Sequence, residues 1–161
     1  MNAEDIIKAL NLKPLPQEGG FFRETYRARE TLPGAERNLS TAILFLITDD
    51  NFSSLHQIPQ DEIFHFYLGD PVEMVQIDRV GQLQKITMGP RLLEGEQVQV
   101  VVPGGVWQGL RLAEGGKWAL LGTTVAPGFD FRDFVKGKRK ELLEKYPEHK
   151  TPILRFTRES D

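Results

Sequence analysis

The chain contains no cysteine among its 161 residues. That absence removes disulfides, thiolate metal sites and cysteine nucleophiles together. Histidine is scarce too, with only His56, His65 and His149 present, so a site built on imidazole has few residues to draw on. Basic charge is not in surplus. There are 20 Lys and Arg against 23 Asp and Glu, a formal net charge of −3, and no basic block, which argues against a nucleic-acid partner. Apolar runs extend for only a few residues, far short of the roughly 20 that a membrane helix needs. The acidic start Met1-Asn2-Ala3-Glu4-Asp5 lacks the basic-then-apolar layout of a secretory signal. The expected address is therefore cytoplasmic, with neither membrane nor nucleic acid as a partner.

What is present is a run of short strands. Alternation or apolar patterning marks 21–29, 39–47, 52–58, 62–68, 72–78, 83–88, 98–102, 106–112 and 117–125. Turn signals separate these segments, among them Asp49-Asp50-Asn51, Gly69-Asp70-Pro71, Pro103-Gly104-Gly105 and Gly115-Gly116. Closely spaced short strands without intervening long helices predict an all-β sandwich or barrel. Helical spacing appears only at the ends. Ile6, Ile7 and Leu10 follow a candidate cap at Asn2, with Pro14 and Pro16 as the stop, and Leu142, Leu143 and Tyr146 precede Pro147. Helices are expected over about 3–11 and 136–146, in one domain spanning 1–161.

Two histidines sit in the stretch that can carry chemistry, Ser54-Leu55-His56-Gln57-Ile58-Pro59-Gln60-Asp61-Glu62-Ile63-Phe64-His65-Phe66. Strand alternation places Ser54, His56 and Ile58 on one face, and Glu62, Phe64 and Phe66 together on the next strand. A short connection through Pro59 predicts a hairpin that brings His56 to Glu62. Such a pair serves as a general base with its orienting carboxylate, as two metal ligands, or as a buried histidine simply hydrogen-bonded to an acid. Alternation turns His65 to the opposite face unless a bulge intervenes. Trp107 should point away from the site and Gln108 into it. His149, between Glu148 and Lys150, reads as a solvated surface residue. The Gly-Gly pairs at 19–20 and 115–116 lack phosphate-loop context and read as turns. The basic residues between Arg132 and Lys140 are offset by acidic neighbours and read as a solvated helix face.

The segment holding His56, Glu62 and Gly69 resembles the first cupin signature, with Ile58 standing where a second histidine belongs and Asp50 where the leading glycine belongs. Pro103-Gly104-Gly105 resembles the turn of the second signature, with Gln108 at the histidine place. Further segments are similar to a small uncharacterised family of single-domain cupins, cupin family five. They are Glu18-Gly19-Gly20-Phe21-Phe22-Arg23-Glu24-Thr25-Tyr26, Asp61-Glu62-Ile63-Phe64-His65-Phe66 and Val125-Ala126-Pro127-Gly128-Phe129-Asp130-Phe131. The resemblance implies a double-stranded β-helix, the cupin jelly-roll barrel, over about 20–127, with a pocket in its mouth and a homodimer as the assembly.

Metal-dependent cupins commonly use three histidines and a glutamate. The resemblance carries over only His56, Glu62 and Gln108, and an amide oxygen is a weak donor for zinc, iron or nickel. No cofactor is expected to be required, and a divalent metal would bind weakly. The resemblance also admits a metal-free epimerase or isomerase acting on a sugar or nucleotide sugar, with His56 as base, Glu62 as its partner and Tyr26 as acid if its face of the strand points inward. Ser54, Phe64, Phe66, Gln108 and Tyr26 are the expected ligand contacts, with Trp107 a further candidate at an apolar mouth. The alternatives are a divalent-metal enzyme using the same residues and a non-catalytic sensor of a small molecule, carbohydrates included.

Overall fold

A computed structural model describes every residue, Met1–Asp161. The chain opens with helix α1 (Ala3–Leu10) and then forms strands β1 (Lys13–Pro14), β2 (Phe21–Arg27), β3 (Thr41–Thr48), β4 (Ser53–Gln57), β5 (Asp61–Gly69) and β6 (Val72–Ile77). It continues through β7 (Leu83–Met88), β8 (Gln99–Val102), β9 (Trp107–Leu112), β10 (Trp118–Ala126) and β11 (Val135–Lys136), and ends in helices α2 (Arg139–Lys145) and α3 (Lys150–Arg155). The strands make two antiparallel sheets that face each other as a jelly roll. One has the order β1-β2-β3-β10-β5-β8 and the other β11-β4-β9-β6-β7.

Alternation explains which residues fill the barrel. On β3, Phe45 and Ile47 point between the sheets while Leu46 points outward beneath α1, beside Ile6, Leu12 and Leu120. On β6, Val72 and Met74 point in, and Val75 and Ile77 point out beneath the C-terminal helices. Both strands are buried on both faces, so they read as nearly continuous apolar runs. Phe64, Val100, Met88, Leu110 and Leu121 complete a dry core at one end of the barrel.

The expected cap at Asn2 is present. Its side chain accepts from the Asp5 amide at 3.0 Å and the Asp5 carboxylate returns the bond at 2.9 Å, a reciprocal capping box. The helix ends at Asn11, in the left-handed region at φ 52°, before the two prolines act. At the other end, α2 begins at Arg139 and is followed by α3, which the sequence pattern does not reveal. Leu142, Tyr146, Ile153 and Phe156 from these helices cover Leu55, Val75 and Ile77 on the outside of the five-stranded sheet. No helix is long and apolar enough to cross a membrane.

The hairpin expected around Pro59 does not form. β4 pairs with β9 and β11, while β5 pairs with β10 and β8, so the connection carries the chain from one sheet to the other. The turn at Pro103-Gly104-Gly105 holds this crossing. Gly105 N–H donates to the Ile58 carbonyl at 2.8 Å and Gly104 N–H to the Asp61 carboxylate at 2.8 Å. A Cβ on Gly104 would lie 2.1 Å from the Pro59 carbonyl oxygen, so only glycine permits the approach.

Ile153 is fully buried, so α3 is integral to the fold. Ile153→Ala is expected to cost about 2–5 kcal/mol, measured as a shift of the urea midpoint. An unchanged midpoint would mean that α3 packs only loosely on the sheet.

Candidate active site in the barrel mouth

The end of the barrel opposite the dry core holds a cavity of about 420 Å³. Glu18, His56 and Glu62 form its polar floor, and each comes from a different part of the chain. His56 lies on β4 in register with Gln108 of β9, and Glu62 lies on β5 in register with Val125 of β10. Glu18 precedes β2 in a turn closed by Gly19 and Gly20, at φ 105° and 76°. A Cβ on Gly19 would lie 2.1 Å from the Phe52 carbonyl oxygen, so this turn also depends on glycine.

Hydrogen bonds set the chemistry of the floor. The His56 Nδ1 lies 2.7 Å from the Ser54 carbonyl. A carbonyl only accepts, so Nδ1 carries the proton, and in the neutral form of the ring the lone pair is on Nε2. Nε2 is 3.7 Å from Glu18 Oε1, beyond hydrogen-bond reach, and Glu18 Oε1 is itself fixed by the Ser53 hydroxyl at 2.7 Å. Phe134 stacks on the imidazole, with ring centroids 5.2 Å apart. Gln108 Nε2 donates to Glu62 Oε1 at 2.8 Å, leaving Gln108 Oε1 buried without a partner.

Glu62 is pushed up from its ordinary value of 4.5 to about 6. Burial is the main cause and the negative Glu18 adds to it, while His56 and the donors Gln108 and Thr123 pull partway back. The group therefore exchanges its proton close to neutrality, beside a histidine.

The structure brings His56 and Glu62 together as expected and places Gln108 behind Glu62, outside the cavity lining. Other expected contacts are corrected. Ser54 does not face the site, because the pairing of β4 with β9 is irregular between Ser53 and His56. Its hydroxyl bonds the Asp161 carboxylate instead, and Ser53 takes the inward place. Tyr26 is 56% exposed. A bulge between Glu24 and Tyr26 shifts the phase of β2, so Phe22, Glu24 and Arg27 line the cavity and Tyr26 points out. Phe64 and Phe66 pack at the dry core, and Trp107 packs under the C-terminal helices, so none of them forms the mouth. His65 does follow strict alternation. It faces outward against Thr124, Gln99 and Tyr67. His149 is not a free surface group, since its Nε2 sits 2.7 Å from the Gly81 carbonyl.

The aromatic wall comes from elsewhere. Phe22 shares the lining with Phe129, Phe131 and Phe134, three residues of the strap that follows β10. Arg27 donates to the Phe129 carbonyl at 3.1 Å, Arg37 pairs with Asp133 at 2.6 Å, and Gln60 donates to Asp133 at 3.0 Å. These bonds tie the strap across the opening. Glu18, Phe22, Phe129 and Phe131 lie in segments that carry the family resemblance, but outside the histidine stretch from Ser54 to Phe66.

Residues 4–136 match the family described as Cupin superfamily (DUF985). The chain belongs to this cupin family. It is 31% identical over 140 residues to the Uncharacterized protein YML079W of Saccharomyces cerevisiae, covering 76% of this chain and 70% of that one. Protein SO0799 of Shewanella oneidensis superposes with a TM-score of 0.92 at 34% identity, over 98% of both chains. A hypothetical protein from Leishmania major gives 0.91 at 33% identity, over 99% of this chain and 100% of that chain. Oxalate decarboxylase of Bacillus subtilis shares the fold alone, with a TM-score of 0.58 at 15% identity over 91% of this chain and 38% of that chain. Its Mn(II) centres raise the question of a metal here. No three His, Cys, Asp or Glu side chains assemble as a metal site in this cupin, and Ile58 lines the cavity near the lone imidazole. The donors present do not fit a tightly held transition metal.

Glu62 makes stability depend on pH. Below about pH 4.5 it is protonated in both folded and unfolded chains and has no effect. As pH rises through the window from 4.5 to about 6, the unfolded chain loses this proton first, so stability falls. By pH 7 the ionised group should cost about 2 kcal/mol. Glu62→Gln is therefore expected to gain stability relative to wild type across that window and to hold the gain above it. Denaturant titrations at pH 4, 5, 6 and 7 test this, and parallel pH profiles for the two proteins would contradict it.

Proposed function

We propose that this cupin is an acid–base catalyst that moves a proton on a small ring-shaped compound, an epimerisation or isomerisation without metal. The observation that supports this best is the Nδ1 contact of His56 with the Ser54 carbonyl, which leaves Nε2 open to the aromatic-walled cavity. Nε2 takes a proton from a carbon next to a carbonyl, and the bonding pair passes to the carbonyl as an enolate. In an isomerisation His56 hands this proton to the neighbouring carbon; in an epimerisation a second acid protonates the same carbon from the opposite face and His56 gives its proton to solvent. Glu18 lies where it stabilises the transient imidazolium, and Glu62, raised to about 6, is suited to protonate the enolate from the fraction of molecules in which it holds its proton. Tyr26, exposed beyond the bulge, has no part in this scheme.

A simple sugar or similar ring suits the cavity better than a nucleotide sugar. Arg27 is the one Arg or Lys in its lining, and its donors are already taken by Glu24, Asn38 and the Phe129 carbonyl. A diphosphate would find no free cation there. The homodimer suits the outer face of the six-stranded sheet, where edge strand β8 leaves Val101 exposed near exposed Tyr67 and Leu68. An open edge with apolar neighbours favours pairing with a second copy.

Deuterium exchange into carbon-bound positions of simple sugars, followed by NMR in D2O, tests the reaction. His56→Gln is expected to slow exchange by about 100-fold or more, with the fold retained. Exchange that survives this substitution would remove His56 as the base. A requirement for added manganese or zinc, abolished by chelation, would favour metal chemistry. Ligand-dependent stabilisation without any turnover would favour a sensor.

A further inference from the structure

We infer that the ligand of this cavity carries a positive charge, as a small organic ammonium attached to an apolar ring. The inference rests on the proposal above only in taking the barrel cavity as the ligand site, and it does not require catalysis.

The first argument is charge. Four carboxylates line the cavity, those of Glu18, Glu24, Glu62 and Asp130. The two nearer the entrance have partners, since Glu24 pairs with Arg27 at 2.6 Å and Asp130 with Arg132 at 3.3 Å. The two on the floor have none among lysines and arginines. Glu18 accepts from the Ser53 hydroxyl at 2.7 Å and lies 3.7 Å from His56, while Glu62 accepts from the Gln108 amide at 2.8 Å and has His56 nearby. Buried carboxylates left without a cation are costly, and a cationic ligand would lower that cost directly.

The second argument is the hydrogen-bonding sense of the floor. His56 is 97% buried, as its 3% exposure shows, and its Nε2 faces the cavity without a hydrogen-bond partner. With Nδ1 against the Ser54 carbonyl, Nε2 is an acceptor in the neutral form of the ring. The ionised carboxylates of Glu18 and Glu62 are acceptors as well. A floor of converging acceptors calls for a ligand group with several donors, which an ammonium supplies.

The third argument is the wall. Phe22 and Phe131 meet edge to face at 6.5 Å, and Phe129 and Phe131 at 5.1 Å. Phenyl faces around an acidic floor attract a cation and accept the apolar ring that carries it. The same surroundings repel a carboxylate or phosphate, so anionic substrates are disfavoured on both counts.

The test uses three probes that share one ring, namely benzylammonium, benzyl alcohol and benzoate, titrated calorimetrically into the full chain at pH 7.5 and low salt. Benzylammonium is expected to bind about tenfold or more tightly than benzyl alcohol, with benzoate weakest. In Glu18→Gln this preference should fall to about twofold while the affinity for benzyl alcohol holds. Glu62→Gln provides the same reading if Glu18→Gln does not fold. Equal affinities, a preference for benzoate, no binding of benzylammonium at about 10 mM, or a preference that persists in the variants would each overturn the inference. Ammonium selectivity without carbon-bound exchange in any compound would sink the catalytic proposal alone. Exchange on neutral sugars with no ammonium preference would do the reverse.

Discussion

The crossing between the two sheets at Ile58–Gln60 is the constraint on which the site depends. His56 ends one sheet and Glu62 begins the other, so they face each other across the barrel and not along a hairpin. A hairpin would have held them side by side with no space between. The crossing separates the two sheets at this end, and the gap becomes the cavity. Its geometry is fixed by backbone bonds from Gly104 and Gly105 to the Asp61 carboxylate and the Ile58 carbonyl. The turn that resembles the second cupin signature therefore serves to hold the segment of the first.

A second set of bonds reaches the floor from the far end of the chain. Arg158 donates to the Glu18 and Phe52 carbonyls, at 3.3 and 2.7 Å, and its guanidinium lies over the Phe52 ring at 4.1 Å. Asp161 takes the Ser54 hydroxyl and pairs with Lys136 at 2.7 Å. The C-terminal segment thus clamps the backbone on both sides of β4, leaving Ser53 free to hold the Glu18 carboxylate. Helices α2 and α3 contribute no atom to the cavity. They stabilise the floor by covering Leu55 and anchoring the segment that follows them.

The strands were largely legible because their periodicity is driven by burial. β7 runs over the expected residues, and β3 and β6 were visible as apolar runs because each is covered on both faces. The short pieces were not legible. β1 and β11 have two residues each, and α3 has six with a proline inside, too few for any period to register. At the site, His56 and Glu62 were legible from alternation and from resemblance. Ser54 and Tyr26 were misplaced for one shared reason: each follows an irregularity in pairing that shifts the phase by a residue. Composition gives no sign of such a bulge. Glu18 and the strap phenylalanines lie outside regular structure, where no periodicity assigns a direction.

The arrangement of apolar and polar residues along the same strands shows how the fold accommodates an expensive site. β5 buries Phe64 in the dry core two residues after it buries Glu62, and β10 buries Leu121 two residues before Thr123. One end of each strand contributes stability that the other end gives up. The polar row from His56 through Gln108 to Gln76 crosses the inner face of the five-stranded sheet, and all three residues are buried. Replacing this row and Glu62 together with leucine or valine would extend the core and remove the cost of burying the carboxylate. A barrel selected for stability alone has no use for an acid that gives up its proton only near pH 6 beside a histidine with an open nitrogen. Their burial side by side in the barrel cavity is the physical reason we propose a working site there and not a packing defect.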